Sequence, residues 1–485
     1  MSTETAPSPA RQGVGYFERF GVTERTLREV LAAALCRGGD FADVFFQHRV
    51  ENSLALEDGA VNRAHGSVEL GVGVRVVKGQ QTGYGYTEDL SLPAILDAAR
   101  TAAAIADGAS RDAPGILHLV PRRASLYPAR LPGDAVGAGV AAKLPLLEQV
   151  NARLFAADPS VRKVNVYLQD EQGAILVADS QGRVVEDVQP MTLMAASVLA
   201  ERDGRREQNG YNVAGRAGIE LYTPERIDRM VRQAWERTAI LFESGQPPAG
   251  EMPVVLAAGS SGILLHEAIG HGMEADFNRK GISIYADKLG KQVAAPFVSI
   301  VDDGTEPGAR GSIHVDDEGN PAGRTVLVEN GVLASYLHDA ISARHYHVAP
   351  TGNGRRESYR SPPLPRMRST YMLPGPHRKE EIIRSVKKGI YCQTFSNGQV
   401  QIGAGDFTFF VKNGWLIEDG QLTRPVKDVN LIGNGPRTLE KVDMVSNDLV
   451  VDEGGWTCGK DGQSVPVSQG LPTVRVSSMT VGGRG

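Results

Sequence analysis

From residue 24 onward the apolar positions alternate between two periods. Residues 24–36 place Leu27, Val30, Leu31, Ala34 and Leu35 at helical spacing, with Cys36 on the same face. Runs with every second position apolar follow in "DVFFQHRVEN", "NSLALEDG", "ELGVGVRVVKG" and "QTGYGYTED", and they predict strands. Helical spacing returns in "SLPAILDAARTAAAIADG", which starts at Ser91 with Pro93 in its first turn, where proline is tolerated. Helix, antiparallel strands and helix make an α+β unit. The pattern then repeats. A helix runs from near Lys143 through Ala156, period-two runs occupy "KVNVYLQD", "GAILVADSQG", "RVVEDVQPMTLMAASVLAERD" and "REQNGYNVAG", and a long helix covers 223–242. Thr223 is its cap and Pro224 its first helical residue. The stretch "GQPPAG" at 245–250 reads as a linker.

A third block begins with the short apolar strand "MPVVLAAG" and a helix carrying "HEAIGHG". The remainder is rich in Gly, Pro, Val and Thr and breaks into short strand-and-turn patterns. Residues 378–388 are the one further stretch with a helical pattern. The expected fold class is α+β. N-terminal and middle α/β sandwich-like domains with antiparallel sheets (21–135 and 136–245) precede a mostly antiparallel β domain (246–485) that carries the HEAIGHG helix. Residues 1–20 are expected to form a disordered tail.

Composition narrows the function classes. A chain of 485 residues has room for two to four domains. Its net charge of −5 argues against a nucleic-acid partner. The cysteines Cys36, Cys392 and Cys458 are sparse and odd in number, which argues against a disulfide framework and for a reducing cytoplasm. The first twenty residues lack the basic start and apolar run of a signal peptide. No apolar run approaches the ~20 residues that would span a membrane.

The stretch His266-Glu267-Ala268-Ile269-Gly270-His271-Gly272 resembles the H-E-x-x-H zinc motif with one residue too many. In a regular α-helix the second imidazole would point roughly 140° away from the first. A single turn with i→i+5 bonding would bring the two rings together, and such turns concentrate at functional sites. Gly270 lowers the cost of a local distortion. Such a helix is expected over about 260–277. Spacing alone is weak, because a chance H-E-x₃-H is not rare among ten histidines. The clustering of Glu267 and Asp276 opposite an apolar face of Ile263, Leu264, Ala268 and Ile269 strengthens it. A zinc site needs a third protein ligand and an open position. Cys458, Asp276, Glu274 and His314 are the candidates. Cys458 lies in "GGWTCGKDGQ", a glycine-flanked loop expected to expose its thiolate, whereas Cys392 reads as a strand core residue and Cys36 as a structural helix-face residue.

At this point the chain resembles the TldD/PmbA peptidases, specifically the TldD branch. The resemblance rests on "HEAIGHGMEADFNRKG", "VDDGT", "GNGRRESYR", "PLPRMRSTYMLPG" and "CGKDGQSVPVSQGLPTVRVSSMTVGG", with "GVRVVKGQQTGYGYTEDLS" in the first block. It covers residue 20 to the C-terminus. The related PmbA (TldE) branch lacks the histidine motif. The resemblance implies a cytoplasmic zinc metallopeptidase acting on unfolded or flexible polypeptides, in leader-peptide removal or degradation of labile proteins. It implies a heterodimer with a metal-free PmbA/TldE-type subunit. Its zinc ligands fall on His266, His271 and Cys458, and its catalytic glutamate on Glu267. No membrane or nucleic-acid partner is implied. A rival from another class is a non-enzymatic zinc-stabilised adaptor, its ion closed by a fourth ligand such as Asp276.

The segment 355–368 holds five arginines around Tyr359. It reads either as a solvated loop or as a place where Arg355 or Arg356 meets substrate carbonyls or a carboxylate. "GNG" and "GNGP" lack a strand–loop–helix setting and read as turns rather than a nucleotide site.

Overall fold

Four strands of the first two blocks run far beyond the usual five or six residues: Phe41–Glu57, Ala60–Lys78, Val161–Asp179 and Arg183–Arg202. In this computed structural model, which describes residues 15–121, 125–128 and 139–483, Phe41–Glu57 pairs antiparallel with both Ala60–Lys78 and Val161–Asp179. The second register runs from Asp43↔Asp179 to Glu57↔Asn165. One seven-stranded sheet therefore passes through both blocks.

Two cores form on that sheet. The helices Glu24–Leu35 and Leu92–Ala103 pack Leu27, Val30, Leu31 and Ala99 over Val44, Phe46, Val72, Val74 and Val76. At the other end, Val140–Ala157 and Pro224–Ala239 pack Leu147, Val150, Leu154 and Met230 over Leu54, Leu56, Val164, Val166 and Val198. Each fully buried aliphatic side chain contributes about 1.5–3 kcal/mol. Thr223 caps its helix as expected, accepting the Arg226 N–H, and Thr23, not singled out in the sequence, accepts that of Thr26. Ser91 holds the cap position without a side-chain bond.

Two expectations change here. Cys36, expected on the helix face, is an exposed cap instead, because its helix ends at Leu35, the last buried position. The expected tail is also shorter at its inner end. Gly15–Glu18 forms a helical turn whose Phe17 is fully buried against Phe46. Residues 1–14 lie outside the described residues.

The third block covers the opposite face of the sheet. Gly71 and Gly73 leave the room for it: a Cβ at Gly71 would overlap the Tyr359 ring, and one at Gly73 the Tyr359 carbonyl. Tyr359 is fully buried with Phe45, Ile175 and Val177. Arg355 and Arg356 follow it inward, at 4% and 5% exposure, so the solvated-loop reading fails. Arg355 donates to the carbonyls of Met367 and Pro466, and Arg356 to Tyr84 Oη and the Asp317 carbonyl. These bonds supply the acceptors that buried guanidinium groups need.

Within the third block the strand Gly250–Leu256 pairs parallel with Lys388–Gln401 and antiparallel with Val474–Gly482. The strand Gln421–Asn434, at the far side of the sheet, reaches Val474–Gly482 through Asn430, Leu431 and Ile432. The sheet thus closes on itself around a large apolar core. Most pairings are antiparallel, as expected. The helix expected at 378–388 is shorter, Lys379–Arg384, because the next strand already begins at Lys388.

Candidate metal centre

Gly259, at φ +95°, turns the chain out of the strand Gly250–Leu256 and into the HEAIGHG segment. One tight turn at Ser260–Gly262 and one α-helical turn at Ile263–Leu265 lead to a wide turn at His266–Gly270. Its bond runs from the His271 N–H to the His266 carbonyl, five residues back. The extra residue is absorbed there. The two imidazoles stand with ring centroids 5.0 Å apart and planes at 86°.

Gly270 matters for a different reason than expected. Its backbone is ordinary helix, φ −57° and ψ −55°, but a Cβ would overlap Met367 Sδ. The helix is also interrupted, not continuous to 277. Met273 and Ala275 bond to Leu337 across an isolated bridge, Glu274 takes an extended conformation, and a last helical turn follows at Ala275–Arg279.

Cys458 arrives on the short strand Thr457–Lys460, paired with Gln463–Pro466. It is 1% exposed, so the expectation of an open loop is corrected. Strand alternation turns Cys458 and Lys460 inward together. Arg366, fully buried, ties both arms of this hairpin through the carbonyls of Cys458 and Gln463. The Cys458 Sγ lies 3.4 Å from His271 Nε2. One ligand atom from each of His266, His271 and Cys458 falls within 4.8 Å of the others.

The donor set fits a borderline-soft divalent cation such as zinc. His266 Nδ1 is buried without a hydrogen-bond partner among the described residues. Burial opposes ionisation of the Cys458 thiol, but the His266 and His271 rings outweigh it and hold its pKa well below the usual thiol value. Burial likewise opposes protonation of His271, while Glu274 and Cys458 raise it well above the imidazole range. A thiolate beside an imidazolium is the proton-loaded form of a site that releases a proton on taking up a cation.

The alternatives for the third ligand lie elsewhere. Glu274 Oε2 is 3.0 Å from His271 Nδ1, and Asp276 accepts from Lys460 Nζ at 2.7 Å. Lys460 also reaches Glu274 at 3.2 Å and the Pro365 carbonyl at 3.1 Å. Burial opposes the charge of Glu274, yet Lys460 and His271 hold its pKa down at about 2. His314 accepts the Leu126 N–H at Nε2 and meets Asp187 through Nδ1, in the contact with the second block. Sequence reasoning missed Lys460, although its two-residue offset from Cys458 on a strand carried the signal.

Glu267 is half-buried and lines the same cavity of about 530 Å³ as His266, His271 and Cys458. Burial raises its pKa above the usual carboxylate value. The opposite wall is Gly398, Gln399, Val400 and Ile402. A side chain at Gly398 would press on the Phe409 ring and crowd Glu267.

Three family models match the chain: the PmbA/TldA metallopeptidase domain 1 over residues 42–106, the central domain over 136–242 and the C-terminal domain over 249–483. A Haemophilus influenzae protein named "Metalloprotease TldD homolog" is 38% identical, covering 95% of this chain and 97% of that one. A Saccharolobus solfataricus protein named "Zinc metalloprotease TldD homolog" is 27% identical, covering 92% and 97%. The crystal structure of TldE from Thermococcus kodakarensis shares the fold at a TM-score of 0.72 and 17% identity, over 92% of this chain and 97% of that one.

Proposed function

The chain belongs to the PmbA/TldD metallopeptidase family, and from that we propose a zinc peptidase whose ion is held by His266, His271 and Cys458, with Glu267 as general base. The observation that carries this reading is the convergence of three donors within 4.8 Å beside a raised, cavity-lining carboxylate. A bound zinc ion supplies Lewis acidity toward a water and a peptide carbonyl. Glu267 takes the water proton and passes it to the leaving amine. Glu274 fixes the His271 ring, and Lys460 fixes Glu274.

The substrate is an unfolded or flexible polypeptide, either a leader segment or a labile protein. Beyond Cys392 the strand Lys388–Gln401 no longer pairs with Gly250–Leu256, and its residues 398–400 line the cavity. An extended peptide added along that edge is held by its backbone, which favours low sequence selectivity. A homologous TldE-type subunit is the partner. The apolar side chains of Leu289, Phe297 and Val332, exposed around the turn between Arg324–Glu329 and Val332–Leu333, support a contact surface for it. Three free cysteines support a cytoplasmic location, and no helix of the described residues is long and apolar enough to cross a membrane.

The test is to purify the chain with whatever accompanies it, measure bound metal, and follow hydrolysis of an unfolded polypeptide with and without a chelator. Zinc near one equivalent and chelator-sensitive cleavage are expected. Retained zinc without cleavage of any unfolded substrate by the complex would favour the adaptor instead.

A further inference from the structure

The hairpin that carries Cys458 separates two cavities. Cys458 and Lys460 face the metal centre, while Thr457, Ser464 and Pro466 face a second cavity of about 320 Å³ between the long sheet and the third block. Thr457 lines both.

The second cavity concentrates guanidinium groups from the second and third blocks, Arg216, Arg310 and Arg355. Arg216 and Arg355 are each 4% exposed. Arg310 donates to the Trp456 carbonyl and to Thr457 Oγ1. Arg355 donates to two carbonyls, and Arg216 Nε has no hydrogen-bond partner among the described residues. None of the three has a carboxylate within ion-pair distance among those residues. Four acidic residues also line the cavity, Glu51, Glu171, Asp317 and Glu357, and they offset the charge only from beyond ion-pair distance, Glu171 acting on Arg310 and Asp317 on Arg355 and Arg216. Glu171 lies 4.0 Å from Arg49 on the sheet side, and Asp317 accepts the Arg356 N–H. The crowding has an electrostatic trace: burial and the neighbouring Arg216 bring Arg310 down to about 10 and Arg355 down to about 9. Three buried cations with no carboxylate in direct contact are costly, and a bound anion relieves part of that cost.

Resting on the peptidase reading above, we propose that Arg216, Arg310 and Arg355 form a subsite for a carboxylate of the peptide substrate, reached from the metal centre past Thr457. Guanidinium groups match carboxylate geometry in paired hydrogen bonds. The shared wall at Thr457 places the subsite within a short extended stretch of the cleavage point. The source assigned first is the free C-terminal carboxylate of a short substrate, whose two oxygens match a guanidinium fork. An acidic side chain supplies the same chemistry.

The test compares three matched unfolded peptides on the purified complex: one ending in a free acid, one in an amide, and one in an amide after a penultimate glutamate. The free acid is expected to exceed the plain amide about tenfold in kcat/KM. Arg216→Met should bring that ratio near one, and Arg216→Lys should restore part of it. Recovery by the glutamate peptide alone would overturn the C-terminal assignment in favour of a side chain. Equal rates for acid and amide in the unmodified complex would overturn the subsite, as would an Arg216→Met variant that slows both peptides alike. Dissociation constants of the acid and the amide on Glu267→Gln complex decide the subsite even if no peptide is cleaved, so its failure and that of the peptidase reading remain distinct.

Discussion

The carboxylate of Glu274 stands 3.0 Å from Nδ1 of His271, while the Cys458 sulfur stands 3.4 Å from Nε2 of the same ring. With Glu274 accepting from Nδ1–H, the Nε2 lone pair is left for a cation. The fully buried Glu274 has Lys460 Nζ 3.2 Å from the same oxygen, which keeps it ionised there. Glu274→Gln should therefore weaken zinc binding roughly 10–100-fold. Competition with a chromophoric chelator measures it. Unchanged affinity would mean that packing alone orients the ring.

Glu267→Gln tests the proposed base apart from the proposed ligands. Zinc content should stay near that of the wild type while turnover falls by about 10²-fold or more. Metal analysis and initial rates on the same preparation check this. A parallel loss of zinc and activity would instead make Glu267 part of the metal anchor.

Cys458→Ser replaces a thiolate with a poor neutral ligand, and dialysed protein should lose most of its zinc. Cys392→Ser is the control. Cys392 is fully buried in the apolar core, and burial pushes its thiol pKa far up. It should retain zinc at some cost in stability, because a hydroxyl replaces a core thiol. Equal zinc in Cys458→Ser and wild type would place the third ligand elsewhere.

Glu186 offers a pH test away from the centre. Burial, and secondarily Glu18, raise its pKa from 4.5 to about 7, and its Oε1 is buried with no hydrogen-bond partner among the described residues. Folding therefore takes up a proton. The stability linked to that proton is present below about pH 4.5 and is lost as pH rises through about 7. Glu186→Gln should be the more stable form at pH 8, by on the order of 1 kcal/mol after solvent screening. The gap should shrink at pH 5. Denaturant titrations at the two pH values check it, and a constant gap would remove the titration as its cause.

What could be read from the chain was local. The spacing of His266 and His271 demanded one wide turn, and the geometry contains one at that place. The helix Pro224–Ala239 announced itself through Thr223 and Pro224 because caps act within a turn. Non-local relations were silent. Nothing near Tyr359 signals that it fills the space left by Gly71 and Gly73, almost 290 positions earlier, so 355–368 read as a loop. Cys458 looked open because its flanking glycines hide a two-stranded hairpin clamped by Arg366. The single sheet shared by two blocks rests on the pairing of Phe41–Glu57 with Val161–Asp179, a register that neither strand's alternation specifies alone.

The strand Val474–Gly482 touches three others: Gly250–Leu256, Gln421–Asn434 and Val442–Val445. It follows the HEAIGHG segment by about 200 positions and is the strand that seals the closed sheet. During translation the wall behind the HEAIGHG segment stays incomplete until those nine residues have left the ribosome. The three candidate ligands are thereby kept apart from their finished support while the chain around them is loose.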